Sequence, residues 1–362
     1  MRDMKKEEEI SVSGVIYPSN KTITKYGHIC LFEDSSIMHK YFKVGDIITV
    51  EMLGQTFDVP YVITFIDVDC YMPEILDMGN HGTYLAMNYG DIVSLSKVAH
   101  KKVHKNHSYT WISPFKEIPF TLTLKERGGY YEEMMERTVG IYPTNREDYP
   151  HLTDEGYANF RTVDKGEIAK DRLYRCASPI DNYFGRAKVT DEVIKKYGIT
   201  HMINLSDSKD MLEGHPHYKD SYYRQINSIE LSMGIDFHYQ EFKEKIYLAM
   251  EYIANNPHGK FAINCIEGKD RTGILIALLE CLMGYSLEEI EDDYMMSYYN
   301  YYGVAKGDKR YDKIKVNIAI QLKYAFLQDN LSDLKTLAKR YFLEEIRLPQ
   351  EILDKVIYNL SH

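Results

Sequence analysis

From Thr272 to Gly284 the chain reads TGILIALLECLMG, which is apolar on nearly every side of a helix. A helix that is hydrophobic all round belongs inside a protein, because it has no polar stripe to turn to water. Directly before it come a short apolar run, KFAIN, and a polar turn, CIEGKD. A short run of this kind is a strand pattern. Strand, turn and buried helix in sequence imply a sheet with helices on both faces.

The neighbouring segments repeat the alternation. RLYRCA (Arg172–Ala177) and ITHMINLS (Ile199–Ser206) read as buried strands. TDEVIKKYG lies between them and reads as a helix, starting at Thr190 or Asp191 and stopped at Gly198. EFKEKIYLAMEYIANNPHG is an amphipathic helix ended by Pro257–Gly259, and Asp207 to Gly234 is a polar stretch read as a lid or loop. SLEE (Ser286–Glu289) has capping-box spacing for a helix reaching Tyr302. Three further helical patterns follow, in KIKVNIAIQLKYAFLQ, SDLKTLAKRYFLEE and LPQEILDKVIYNL. The expected fold is α/β: a C-terminal domain with a central, mostly parallel sheet flanked by helices, over 160–362.

The first third has a different texture. DIITVEML, FDVPYVITFIDV and TYLAMNYGDIVSL are short runs rich in Val, Ile, Thr, Tyr and Phe, punctuated by Gly and Pro. They predict a small β-rich N-terminal domain, an antiparallel sandwich or barrel, over 1–115. Residues 116–159 read as a connecting segment, within an irregular stretch that begins near Trp111 and holds one short helix at Tyr131–Arg137. His100, His104 and His107 lack a further ligand cluster and read as part of a solvated basic connector.

At 362 residues, two domains are the default. A net charge of −10 and the lack of any long Lys/Arg block argue against nucleic-acid binding, which needs a basic footprint. The five cysteines are scattered, with no CxxC or Cys/His cluster, so no metal is expected and reduced surroundings fit. The start, MRDMKKEEEI, has no apolar signal segment, and no apolar stretch is long enough to span a bilayer. The expected location is cytoplasmic, leaving open secretion after loss of a leader. The 32 tyrosines read as packing residues with one polar tip.

The turn Cys265–Arg271 carries the chemistry. Successive backbone N–H groups at the start of a buried helix form an anion site together with the helix dipole. Gly268 permits the tight path, and Arg271 offers a planar fork that matches two phosphate oxygens. The same positive field favours a thiolate at Cys265, since helix N-termini and cations lower a thiol's ordinary pKa of ~8.5. A nucleophile and a tetrahedral anion would sit side by side.

This C-x5-R-T pattern resembles the signature loop of Cys-based protein tyrosine phosphatases. The fuller run CIEGKDRTG, with LYRCASP and GITHMINLSDS upstream, resembles a bacterial branch that accepts both phosphotyrosine and phosphoinositides. The likeness runs from Phe160 to Tyr302 and leaves the N-terminal third uncovered. It implies that Cys265 attacks phosphorus to form a phosphocysteine. Arg271 and the loop Ile266, Glu267, Gly268 and Lys269 would bind the phosphoryl oxygens. Asp270 would act as general acid, and Thr272 would hydrogen-bond the sulfur. Lys269 would add charge for a second phosphate. No cofactor is implied. The implied partner is a phosphotyrosine protein or a phosphoinositide or inositol phosphate.

Two residues depart from the pattern: Asn264 stands where most of the superfamily has His, and Glu267 puts an acid beside an anion site. Asn264 implies reduced or retuned activity. Several assignments stay open. Asp207 or Asp210 could replace Asp270 as the acid. Arg175 could touch substrate or form a structural ion pair. Cys176 could be a redox partner of Cys265 or a buried strand residue, and Cys281 reads as core. Tyr294, Tyr298 and Tyr302 could wall the pocket or pack the core. The competing functions are a non-catalytic phosphate-binding module, an inositol-phosphate phosphatase, and Cys-based sulfur transfer or arsenate reduction.

Overall fold

The computed structural model describes residues 10–104, 109–140, 142–235, 237 and 240–362. The chain divides into two compact units, Met1–Gly140 and Ile141–His362.

The first unit contains strands β1 (Ser11–Ile16), β2 (Ile29–Phe32), β3 (Ile47–Met52), β4 (Gln55–Val62), β5 (Pro73–Asp77), β6 (Thr83–Met87), β7 (His100–Val103), β8 (Tyr109–Ile112) and β9 (Ile118–Glu126). Three short helices accompany them: α1 (Ser36–His39), α2 (Ile92–Leu95) and α3 (Tyr131–Met135). Seven strands form one sheet in the order β1-β9-β3-β4-β5-β6-β2, and β7 pairs with β8 in a separate ribbon. Side chains from most of these strands, among them Ile16, Ile29, Val50, Val59, Ile75, Leu85 and Leu122, meet in one buried core with Trp111.

Two expectations change here. The sheet is not purely antiparallel: β4 and β5 pair in parallel through Tyr61↔Ile75 and Val62↔Leu76. The link from Ile63 to Met72 is long enough to carry the chain back before it re-enters the sheet. The stretch from Trp111 onward is also not irregular throughout. It contributes β9, which lies between β1 and β3 and buries Ile118, Phe120 and Leu122 on one face.

The second unit contains β10 (Arg161–Thr162), β11 (Leu173–Cys176), β12 (His201–Asn204), β13 (Asn227–Glu230) and β14 (Phe261–Asn264). Its helices are α4 (Asp154–Tyr157), α5 (Ala187–Lys196), α6 (Lys209–Gly214), α7 (Gln240–Ala254), α8 (Asp270–Leu282), α9 (Leu287–Tyr302), α10 (Lys309–Phe326), α11 (Leu334–Arg340) and α12 (Gln350–Ser361). The sheet order is β10-β11-β14-β12-β13. The last four strands run parallel and β10 is an antiparallel edge. This is the mixed α/β arrangement expected, with β14 central.

Every residue of α8 from Thr272 to Leu282 is buried. The capping box forms as read: Ser286 accepts from the Glu289 amide, and Glu289 accepts from Ser286 in return. Helix α5 begins at Ala187, a turn before Thr190 and Asp191. Asp191 is not a cap; its carboxylate accepts the Tyr222 and Tyr223 amides and ties down a distant turn. The polar stretch 207–234 is partly ordered as α6, two 3-10 turns and the edge strand β13.

Candidate active site

Strand β14 ends at Asn264, flanked by β11 and β12, and the loop Cys265–Lys269 links it to α8. In an open parallel sheet, the carboxyl ends of the strands are where ligands bind. The loop's carbonyls are taken by surrounding groups. The Ser178 amide donates to Ile266 O (3.0 Å). The Tyr301 hydroxyl and Asn159 Nδ2 donate to Glu267 O (2.8 and 3.0 Å). Arg175 Nη2 and Asn159 Nδ2 donate to Gly268 O (2.8 and 3.2 Å), and Arg175 Nη2 also reaches Lys269 O (3.3 Å). Among the described residues, the amides of Ile266 through Lys269 donate to no protein acceptor. Outward carbonyls and uncommitted amides are the signature of an anion-binding nest.

Gly268 makes this path possible. Its φ is +66°, and a Cβ there would lie 2.0 Å from Cys176 O and 2.7 Å from the Ala177 amide nitrogen. The loop therefore packs directly on the end of β11, at a distance only glycine allows.

The clamp residues are themselves fixed. Asn159, at a left-handed φ of +48°, has its Oδ1 held by Arg161 Nη1 (2.8 Å) and Asn300 Nδ2 (3.0 Å). That leaves its amide group aimed at the loop. Tyr301 lies under the Arg186 guanidinium, 3.6 Å from ring centroid to carbon. Arg175 is fully buried and pairs with Asp293 of α9, which also accepts from Arg161 Nε at 2.6 Å. Burial pushes the Asp293 carboxyl up, but the two guanidiniums more than offset this and hold it below its ordinary range. Glu280 on α8 lies near the same cluster, and burial together with Asp293 drives it well above the usual carboxylate range.

Cys265, the residue expected to be the nucleophile, is buried at the head of the loop. Asn264 Nδ2 donates to Cys265 O (3.4 Å), and its Oδ1 has no partner among the described residues. Thr272 Oγ1 is likewise buried and without a hydrogen-bond partner there, so the hydroxyl is not committed elsewhere. Arg271 is half-buried and makes a long contact, Nη1 donating to Met233 O at 3.5 Å. Among the described residues no carboxylate pairs with it. Asp270 opens α8, with its Oδ2 3.9 Å from Lys269 Nζ.

Lys269 and Glu267 are tied to each other. Lys269 Nζ lies 3.3 Å from Glu267 Oε2, donates to the Tyr302 hydroxyl at 3.0 Å, and sits over the Tyr298 and Tyr302 rings. Burial pulls Lys269 down, but Asp270 and Glu267 outweigh it and hold the ammonium well above the ordinary lysine range. The Tyr142 hydroxyl donates to Glu267 Oε1 (2.5 Å).

The remaining candidates fall elsewhere. Asp207 is buried after β12, accepting from Asn204 Nδ2 and Ser206 Oγ at 3.0 Å each. Its carboxylate, Asp181 and His215 bring ligand atoms within 4.8 Å of one another, so these three could hold a cation. Asp210 is exposed on α6. Arg175 forms the structural ion pair. Cys176 and Cys281 are buried free thiols whose ionisation burial pushes up. Tyr294 and Tyr298 are buried with hydroxyls 2.9 Å apart. His104 contacts Thr110, neither it nor His100 joins the cation-capable group, and His107 lies outside the described residues.

Sequence reasoning missed Asn159, Tyr301, Tyr142, Arg161, Asp293 and Glu280. Only Glu280 carried a signal, as the one charge inside an apolar helix run.

The model of the tyrosine phosphatase family matches residues 155–360. No curated protein matches the chain. Similar solved structures include the core catalytic domain of the PP-IP phosphatase Siw14 from S. cerevisiae. It is 20% identical with a TM-score of 0.29, over 50% of this chain and 92% of that one. P. aeruginosa TpbA is 14% identical with a TM-score of 0.25, over 44% and 96%. An uncharacterised conserved protein from Thermotoga maritima is 16% identical with a TM-score of 0.23, over 32% of this chain and 40% of its own. This chain therefore spans less than half of the Thermotoga protein. Among the described residues, no helix is long and apolar enough to cross a membrane.

Proposed function

This chain belongs to the tyrosine phosphatase family, and on that premise we propose that it hydrolyses phosphotyrosine through a phosphocysteine formed on Cys265. The observation that carries the reading is the loop whose carbonyls are held outward from Ile266 to Lys269 while its amides stay uncommitted. Such a nest at the start of α8 suits a phosphoryl dianion seated against the sulfur.

The chemistry runs in two displacements. The Cys265 sulfur, as thiolate, forms a bond to phosphorus as the bond to the tyrosyl oxygen breaks. Asp270 gives that oxygen its proton. Asp270, now a carboxylate, takes a proton from water. The water oxygen attacks phosphorus, the S–P bond breaks, and inorganic phosphate and the thiolate are released. The loop amides and the Arg271 fork bind the non-bridging oxygens throughout, and Thr272 donates to the departing sulfur. Phosphoinositides and inositol phosphates are the alternative substrates of the same chemistry. The first unit offers no acid, base or nucleophile constellation among its described residues that matches this one, and we assign it a binding or targeting role.

A non-catalytic phosphate-binding module is the second reading, favoured by Asn264 beside the cysteine and its unpartnered Oδ1. A substrate panel separates the two: an aryl phosphate, a phosphotyrosine peptide and a phosphoinositide, on wild type, Cys265→Ser and Asp270→Asn. The proposal expects turnover by wild type, none by Cys265→Ser, and a loss of roughly 10²–10⁴-fold in Asp270→Asn. Oxyanion binding by wild type without turnover of any phosphate would establish the binding module instead. Full activity in Asp270→Asn would move the acid role to Asp207.

A further inference from the structure

We propose that Glu267 is a specificity-determining residue: by pairing with Lys269 it removes the loop's second cation and makes the site select a lone phosphate over vicinal polyphosphates. The inference rests on the reading of the loop as a phosphate site. It concerns which phosphate compounds that site takes.

The loop and the start of α8 hold two cations, Lys269 and Arg271, and two carboxylates, Glu267 and Asp270. Their formal charges cancel, yet they are not evenly paired. Glu267 lies 3.3 Å from Lys269 Nζ, and among the described residues no carboxylate pairs with Arg271. Lys269 is held from several sides. The Tyr302 hydroxyl accepts from Nζ at 3.0 Å, the Tyr298 and Tyr302 ring centroids lie 5.3 and 5.0 Å from it, and its side chain is only 9% exposed. Glu267 is held in turn. Tyr142 donates to Oε1 at 2.5 Å, and the Tyr142 ring packs against Phe184, Tyr301 and Tyr302. The Glu267 backbone is pinned through its carbonyl by Asn159 and Tyr301.

A first phosphate needs only the nest amides and Arg271. A second phosphate on an adjacent carbon needs another cation close by, and the only other one in the loop is already matched by the half-buried Glu267 carboxylate at 3.3 Å, with Asp270 Oδ2 farther off at 3.9 Å. To recruit Lys269, the ligand would have to break the ion pair and leave Glu267 facing an anion, which costs affinity. A phosphotyrosine carries no second phosphate and loses nothing.

The test measures binding rather than turnover, so it stands apart from the catalytic reading. In full-length protein carrying Cys265→Ser, calorimetry would give the affinities for phosphotyrosine and for a soluble vicinal inositol bisphosphate. Three further changes are added: Glu267→Gln, Lys269→Met, and both together. The double variant replaces the ion pair with a neutral pair, which a buried site tolerates. The expected ratio of bisphosphate to phosphotyrosine affinity rises about tenfold in Glu267→Gln and returns to the starting value in the double variant. It falls in Lys269→Met, because Glu267 then faces the second phosphate without its cation. A ratio that Glu267→Gln leaves unchanged would overturn the proposal. So would a ratio in the double variant as high as in Glu267→Gln alone, which would mean that Lys269 is not the cation Glu267 withholds. Binding of neither compound would overturn both this inference and the phosphate reading. Phosphotyrosine binding with the expected ratios, but no turnover by the Cys265 protein, would sink only the catalytic reading.

Discussion

Gly268 leaves the least room for any other residue. Its φ of +66° and the 2.0 Å approach of a Cβ to Cys176 O oppose every L side chain. Gly268→Ala is expected to cost roughly 2 kcal/mol or more of stability and to lower turnover by more than tenfold, read by thermal melting and an aryl-phosphate assay. Glu280 supplies a pH-dependent prediction. The unfolded chain ionises a glutamate near pH ~4.3, whereas burial and then Asp293 keep Glu280 protonated well above that in the folded state. An acid raised on folding costs stability progressively as pH climbs past its unfolded value. Glu280→Gln keeps the shape without the ionisable proton. It should therefore raise the melting temperature more at about pH 8 than at about pH 5. An equal rise at both would contradict the upward shift of Glu280 on folding. Legibility at this scale was uneven. Cys265, Gly268, Lys269, Asp270 and Arg271 could be read because they share one short turn. Asn159 and Tyr301 could not, because a side chain that clamps a loop across more than 30 residues leaves no local pattern.

At the scale of elements, the loop is shaped by its neighbours more than by its own side chains. β11 supplies Arg175, the turn before β10 supplies Asn159, and α9 supplies Tyr301 and Asp293. Asn159→Gly separates clamp from backbone, since glycine accepts the left-handed φ of +48° while losing both bonds to the loop. Turnover is expected to fall about tenfold, equivalent to ~1.4 kcal/mol in the barrier, with a melting temperature within a few degrees of wild type. Unchanged kcat would show that this clamp does not shape the nest. The same scale explains where element reading failed. In IPFTLTLKE, alternate residues Ile118, Phe120, Leu122 and Leu124 are apolar, a plain strand signal. The prolines and glycines on either side, in ISPFKEIPF and RGGYYEE, drew the reading toward a connector instead. Helices α8 and α9 were legible because all-round apolarity in one and a capping box in the other are local signals.

For the whole molecule, each unit encloses a core of its own, and the proposed chemistry lies in the second. The order β10-β11-β14-β12-β13 was not written in any one segment, because which strand neighbours which depends on the helices that cross between them. What the order does is put β14 at the centre, with β11 and β12 able to brace the loop that follows it. The account's central claim is that this braced loop seats a phosphoryl group against one sulfur. The most direct test is acid-quenched rapid mixing of the full-length protein with a phosphotyrosine peptide, followed by peptide mass spectrometry. The account predicts a transient phosphoryl group on the peptide containing Cys265, forming and decaying as phosphate is released. Phosphate release with that peptide unmodified at every time point, and retained turnover in Cys265→Ser, would contradict it.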